Sequence, residues 1–476
     1  MKPLLIGGEW VDTPQAVSNI NPSDVSDIVD RYAQAGISET QSAVDAAAHA
    51  FPQWSRTTPQ ARHDILKATG DEILARKEEI GTLLSREEGK ILREGIAETA
   101  RAAHIFLFFA GEALRVTGDS LASVRPGIGV EVTREPVGVV SIITPWNFPI
   151  AIPAWKIAPA LCFGNTVVFK PAELVPGCSW IIADILKRNG LPAGVLNLVM
   201  GRGSVVGQAM LDDERVDAVT FTGSIETGNR VAEACVRHMR KVQLEMGGKN
   251  PLVVLDDADL DVAVECAVDG SFYSTGQRCT ASSRLIVTEG IHNRFIEALA
   301  ERMRGLVVDH ALKTETEIGP VVDAAQLEQD RNYIDGARND GGNIRCGGGV
   351  LTRQTDGFFL EPTLITETHP HMRINREEVF GPVASVIRVR GYDEALAVAN
   401  DTPFGLSAGI CTTSLKHASH FKQNAEAGLV MVNLPTAGVD YHVPMGGRKR
   451  SSFGPREQGS YAREFFTEVK TAYTRP

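Results

Sequence analysis

The chain has 476 residues, 43% hydrophobic and 22% charged, the balance of an ordinary soluble globular protein with room for two or three domains. Its formal net charge of −11, with no basic run longer than Arg448-Lys-Arg450, excludes a general nucleic-acid binder, because phosphate binding draws on clustered Lys and Arg. The seven cysteines are scattered, with no Cys-x-x-Cys pair and no adjacent His, so no metal site is expected and a reducing cytoplasm fits best.

In chain order, the apolar core at Leu4 to Ile6 is too short for a signal peptide before Gly7, Gly8 and Glu9. Ser38-Glu-Thr-Gln41 has the pattern of a capping box and predicts an alanine-rich helix behind it. Thr58-Pro59 predicts a second helix start, followed by Ile65, Leu66 and Ile73 at helical spacing, and the chain reads mostly helical to about Ala113. Near Val130 the period changes: residues 130–135 alternate as a half-exposed strand, and 137–143 form the continuous apolar run of a buried one. The uncharged stretch 136–155 is not a membrane span, because Pro136, Pro145, Pro149 and Pro153 would leave a helix backbone unsatisfied in lipid.

Strand-like runs at 166–169, 195–199, 216–221 and 242–244 then alternate with helical segments such as 181–187, which predicts βαβ units and a parallel sheet covered on both faces. A second series begins at 251–255 and continues through 285–287, a helix with Phe295, Leu299 and Met303 on one face, 383–389 and 429–432; a second α/β domain is expected. The glycine-rich piece 341–349 reads as surface turns within it.

Chemistry concentrates in five places. Cys279 follows a glycine turn beside Arg278; a thiol needs a nearby cation, base or helix N-terminus to become a thiolate at neutral pH, although a lone cysteine is more often a small buried hydrophobe. Thr144-Pro-Trp-Asn-Phe-Pro149 follows a buried strand, where Asn147 is a candidate oxyanion donor or simply a turn residue. Phe169-Lys-Pro-Ala-Glu173 offers Lys170 and Glu173 to ribose hydroxyls, and the carboxylate favours NAD over NADP; an exposed salt bridge is the alternative. The glycine clusters 201–207 and 221–228 each follow a strand and open a helix, a context that suits a pyrophosphate, although neither matches G-x-G-x-x-G. Glu245 ends a strand among apolar and glycine residues, where desolvation would lift its pKa toward that of a general base.

Jointly, Thr-Pro-Trp-Asn-Phe-Pro, Lys-Pro-Ala-Glu, Phe-Thr-Gly-Ser, Glu-Met-Gly-Gly-Lys-Asn-Pro, Gly-Gln-Arg-Cys and Glu377-Glu-Val-Phe-Gly-Pro382 resemble the aldehyde dehydrogenase superfamily, in the right order along almost the whole chain. The resemblance implies an α/β fold with a modified Rossmann-type NAD-binding domain (1–115 and 137–246), an α/β catalytic domain (247–453) and a small β oligomerisation arm (116–136 and 454–476) that joins a homodimer or homotetramer. It implies that Cys279 attacks the aldehyde, Asn147 holds the oxyanion, Glu245 activates water to release the acid, and Lys156 and Glu457 relay a proton. Trp146, Lys170, Glu173, Gly203, Gly207, Phe221, Ser224, Glu378 and Phe380 match cofactor-contacting positions, with NAD expected and NADP the lesser choice.

The carboxylate at Glu245 favours water over coenzyme A as acyl acceptor; a coenzyme A-acylating relative and a non-catalytic protein that keeps the fold are the competing readings. The stretches 433–447 and 454–459 resemble members acting on 2-oxoglutarate semialdehyde or similar small acidic aldehydes. Several semialdehyde members carry an arginine immediately before the lysine matching Lys156, whereas this chain has Trp155, so Arg278 becomes the candidate for a substrate carboxylate, unless it turns to an acidic neighbour.

Overall fold

A computed structural model describes residues 1–476. The apolar runs of the first half form an eight-stranded sheet in the order Ser452–Phe453, Lys241–Glu245, Ala218–Thr222, Val139–Ile143, Thr166–Lys170, Leu196–Leu198, Leu4–Ile6, Glu9–Val11. The five strands from Lys241–Glu245 to Leu196–Leu198 pair in parallel. Helices cover both faces of such a sheet, which is why these strands read as unbroken apolar runs. From Val139–Ile143 the chain adds strands first on one side and then on the other. The crevice beyond the carboxyl ends of the strands at this reversal is where open α/β sheets hold ligands, and Asn147 and Ser224 both follow strands that meet there.

The second sheet has seven strands, ordered Asn343–Cys346, Thr363–Thr368, Val383–Val389, Ser282–Thr288, Asn250–Val254, Ser407–Cys411, Leu429–Val432. All its pairs are parallel except the first, where Asn343–Cys346 runs antiparallel to its neighbour. The glycine-rich piece expected to be surface turns therefore contains an edge strand. With one neighbour and little side-chain burial, such a strand carries no apolar signature, and the turn after it uses Gly347 and Gly348 at φ +77° and +93°. Asp119–Ala122, Gly129–Pro136 and Thr467–Thr474 make a separate three-stranded sheet. Ser452–Phe453 leaves the second half of the chain to pair with Leu244 and Glu245 on the first sheet.

Helix starts follow local hydrogen-bonding needs. Thr58 caps the helix Pro59–Ala75, its hydroxyl accepting from the Ala61 N–H at 3.2 Å. The first helix, Ile37–Trp54, begins earlier than Ser38 suggests: Glu39 reaches back to the Gly36 N–H at 2.8 Å, and Ser38 sits inside the first turn. Gly36 has no side chain to return the bond, so only the glutamate half of a capping box forms, two residues upstream of the expected one. Helix Leu92–Ala113 buries Ala102, Ala103, Phe106 and Phe109 in the largest hydrophobic cluster, while Glu94, Glu98 and Arg101, spaced i, i+4 and i+7, share another face.

Candidate active site

The loop bearing Cys279 is held under strain. After helix Leu260–Phe272 the backbone enters the left-handed region at Ser274 (φ +52°), Thr275 (φ +56°) and Gly276 (φ +66°), which for the first two residues costs about 1 kcal/mol or more each. A Cβ at Gly276 would drive into the Gly381 carbonyl, so only glycine fits. The strain is held by specific bonds: the Ser274 N–H donates to Glu94 Oε1 (3.1 Å), the Thr275 hydroxyl to the Gly319 carbonyl (3.2 Å), and Gln277 Oε1 accepts from the Val322 N–H (2.9 Å). Asn250 Nδ2 donates to the Cys279 carbonyl at 2.8 Å, tying the loop to the second sheet.

The Cys279 thiol is pushed up to about 12 by burial, with Glu378 and Glu245 adding to it, while its own backbone N–H favours the anion. At neutral pH the resting group is therefore a thiol and needs a base. Asn147 lies beside this loop: its Nδ2 donates to the Gln277 carbonyl at 2.9 Å, two residues before Cys279, leaving its second N–H free. What fixes Asn147 was not legible in the sequence. Lys90 Nζ donates to the Asn147 carbonyl (2.6 Å) and to Glu98 (2.7 Å), and lies 3.8 Å from the centre of the Phe148 ring. Glu98 in turn accepts from the N–H groups of Ile150 and Ala151, so a buried ion pair orients the whole turn.

Glu245 ends its strand fully buried, and its carboxyl is held well above the usual range by burial and by the charge of Glu457. The Ser452 hydroxyl donates to Glu245 Oε2 at 2.5 Å, and Gly446 leaves no room for a Cβ beside the other oxygen. Lys156, wholly buried in helix Ala151–Cys162, donates to Glu457 and to Thr220 Oγ1 (2.7 Å), and Thr220 donates to Gln243 (2.9 Å). Glu457 keeps one buried oxygen, Oε2, without a partner. Glu245, Glu457 and Lys156, far apart in sequence, are thus buried near one another, with Lys156 bonded to Glu457 and the charge of Glu457 acting on Glu245.

The remaining candidates gather around the sheet crevice. Glu173 Oε1 accepts from the Gly203 N–H at 3.0 Å, at the start of the π-helical turn Gly203–Gly207. Lys170 is 5% exposed, and its ammonium, lowered to about 8 by burial against the pull of Glu173, has a single hydrogen-bond acceptor, the Pro171 carbonyl (3.0 Å). Ser224 caps helix Ile225–Arg237, and the Phe221 ring fills the space that a side chain at Gly223 would need. Trp146 and Phe380 meet edge to face at 5.3 Å. Glu378 accepts from the Gly248 N–H (2.9 Å), and burial pushes its carboxyl up to about 7. Arg278 does not stand free: its guanidinium bonds the Asp269 carbonyl and lies 3.3 Å from the Asp269 carboxylate.

A cavity of about 260 Å³ opens over Cys279, lined among others by Phe148, Trp155, Arg101 and Gln458. Arg101 and Gln458 carried no signal in the sequence that set them apart from solvated polar residues.

The aldehyde dehydrogenase family model matches residues 10–472, and the chain belongs to that family, whose members oxidise aldehydes. Among its curated relatives, alpha-ketoglutaric semialdehyde dehydrogenase of Bacillus subtilis is 44% identical over 99% of this chain and 97% of its own. Alpha-ketoglutarate semialdehyde dehydrogenase of Haloferax volcanii is 43% identical over 98% of each. The crystal structure of betaine aldehyde dehydrogenase from Staphylococcus aureus in complex with NAD+ superposes with a TM-score of 0.97 at 34% identity, covering 100% of this chain and 95% of that one.

Proposed function

We propose that the protein oxidises a small acidic aldehyde of the 2-oxoglutarate semialdehyde kind to the carboxylic acid with NAD, through Cys279. The observation that carries this reading is the convergence of Asn147 on the Cys279 loop, with a buried acid, Glu245, close enough to raise the thiol. The semialdehyde substrate is supported by the two relatives named above, and NAD by the bound neighbour.

The residues present fit a dinucleotide. Lys170 is a buried ammonium with donors to spare, and Glu173 is an exposed carboxylate with one oxygen uncommitted to Gly203, a pair suited to the two hydroxyls of a ribose. Glu173 would repel a 2′-phosphate, which favours NAD over NADP. Trp146, Phe221, Ser224, Gly207 and the Glu378–Phe380 turn would complete the site. When bound, NAD accepts the hydride that leaves the substrate carbon.

This chain's own groups do the rest. Glu245 in its ionised form takes the thiol proton as sulfur attacks the carbonyl carbon, and the oxyanion accepts from the free N–H of Asn147 and the backbone N–H of Cys279. After oxidation to the thioester, Glu245 takes a proton from water as its oxygen attacks the acyl carbon, and the carbon–sulfur bond breaks to return the thiolate. The proton then passes toward Glu457, whose free Oε2 can accept it, with Lys156 balancing the charge. The exposed apolar residues Leu121, Val469 and Tyr473 support the three-stranded sheet as an oligomerisation arm of a homodimer or homotetramer, and the sheet boundaries support the division into domains given above except at Ser452–Phe453, which joins the first sheet.

The test is NADH formation across a panel of aldehydes with and without a distal carboxylate. The expected result is the highest kcat/KM for the acidic members and none for Cys279→Ala. Activity surviving in Cys279→Ala overturns the nucleophile, and coenzyme A-dependent turnover overturns the hydrolytic reading.

A further inference from the structure

Three cations line the cavity over Cys279: Lys90, Arg278 and Arg101. Lys90 is paired with Glu98 at 2.7 Å, and Arg278 is clasped by Asp269. Arg101 has no carboxylate within 4 Å; Gln458 Oε1 accepts from its Nη2 at 3.3 Å, and its guanidinium lies 5.7 Å from the Trp155 ring centre. The other charged groups nearby are accounted for. Glu98 is saturated by Lys90 and two backbone N–H groups, Glu94 accepts from Ser274, and Asp440 is exposed and makes no ion pair with Arg101.

Buried polar groups nearly always find partners, so the exceptions are informative. Among the residues that line this cavity, the buried side-chain atoms without a partner are Arg101 Nε, Arg278 Nε, Trp155 Nε1 and Gln458 Nε2, each closed off from the cavity space in the resting structure. All four are N–H donors and none is an acceptor. A guanidinium on the lining with no carboxylate partner, backed by side chains that hold unmet donors, suits an occupant that accepts hydrogen bonds and carries negative charge. An aldehyde joined to a distal carboxylate has that character, whereas an alkyl aldehyde or one bearing a quaternary ammonium does not.

We propose that Arg101, flanked by Trp155 and Gln458, binds the distal carboxylate of the substrate and sets the preference for acidic aldehydes. The inference rests on the acidic-aldehyde reading above and replaces Arg278 in that role. It also accounts for Trp155 at the position where several semialdehyde members have arginine: here the cation comes from helix Leu92–Ala113, and Trp155 contributes the surface over which it lies.

The test compares kcat/KM for 2-oxoglutarate semialdehyde, pentanal and betaine aldehyde in the wild type, Arg101→Met, Arg101→Lys and Arg278→Met. Arg101→Met is expected to lose roughly 10- to 100-fold on the acidic aldehyde, mainly through KM, while pentanal changes little and betaine aldehyde improves. Arg101→Lys recovers part of the loss, and Arg278→Met keeps the ratio of acidic to neutral substrate. Retention of that ratio in Arg101→Met, or an equal fall on all three aldehydes, overturns the assignment while leaving the acidic substrate intact. A wild type that does not prefer the acidic aldehyde to pentanal overturns the substrate reading itself.

Discussion

Burial pushes the Cys279 thiol up to about 12, so the nucleophile proposed above needs a base before it can react. Alkylation of the cofactor-free protein by iodoacetamide should be slow at pH 7 and rise about tenfold per pH unit toward alkaline pH, because only the thiolate reacts; a plateau reached near neutrality would show that the resting site already holds the anion. Glu245→Gln should release its first equivalent of NADH per subunit more slowly, because the thiol loses its base, and should fall about 10²-fold or more in steady-state rate wherever thioester hydrolysis limits turnover. An unchanged steady state under those conditions removes Glu245 as the base. Glu88 gives a stability prediction with a definite sign. Burial raises its carboxyl to about 8, and Oε1 has no partner. The folded state therefore holds a proton that the unfolded chain releases near 4.5, so the protein loses stability through this group as pH rises from about 4.5 to 8. Glu88→Gln should make the fall in melting temperature between pH 5 and pH 8 shallower than in the wild type, and an identical slope would place the proton elsewhere.

At the scale of elements, the left-handed turn Ser274-Thr-Gly276 is a rigid support for the loop above the second sheet. Gly276→Ala should cut stability by about 2 kcal/mol or more, since a methyl there meets backbone and the φ of +66° disfavours it; a melting temperature equal to the wild type would contradict the clash. The central strands were readable because burial on both faces leaves continuous apolar runs, as at Val139–Ile143 and Thr166–Lys170. Asp24–Ala33 and Asn343–Cys346 were not, because an edge or two-stranded position needs only backbone pairing and tolerates polar side chains on both faces. The motifs exposed the residues that meet in the crevice. The Lys90–Glu98 pair and Arg101 escaped, since a charged residue on an amphipathic helix looks the same in sequence whether it meets solvent or a cavity. Arg278 is hard to read for a related reason: its place beside Cys279 in the sequence does not reveal that Asp269 clasps its guanidinium.

Across the whole molecule, one stretch near the C-terminus serves three structures: Ser452–Phe453 extends the first sheet, Glu457 pairs with the buried Lys156, and Thr467–Thr474 pairs with Gly129–Pro136. Charge at the exposed apolar face of the arm, as in the double substitution Leu121→Glu and Val469→Glu, should reduce the particle mass by light scattering while the isolated fold keeps its circular dichroism. An unaltered mass would show that subunits meet elsewhere. The same strand pairing also bears on how the protein reaches its native state. Arg134 in the middle strand bonds Glu464, 330 positions away in the short helix Arg463–Phe466 that leads into Thr467–Thr474, so this pairing closes a loop that holds most of both larger sheets. Such distant partners pair late and slowly, and until they do Val469 and Tyr473 lie on an unpaired strand. Recovery from denaturant should therefore be governed by protein concentration and temperature, with dilute, cool refolding giving the highest yield of active enzyme.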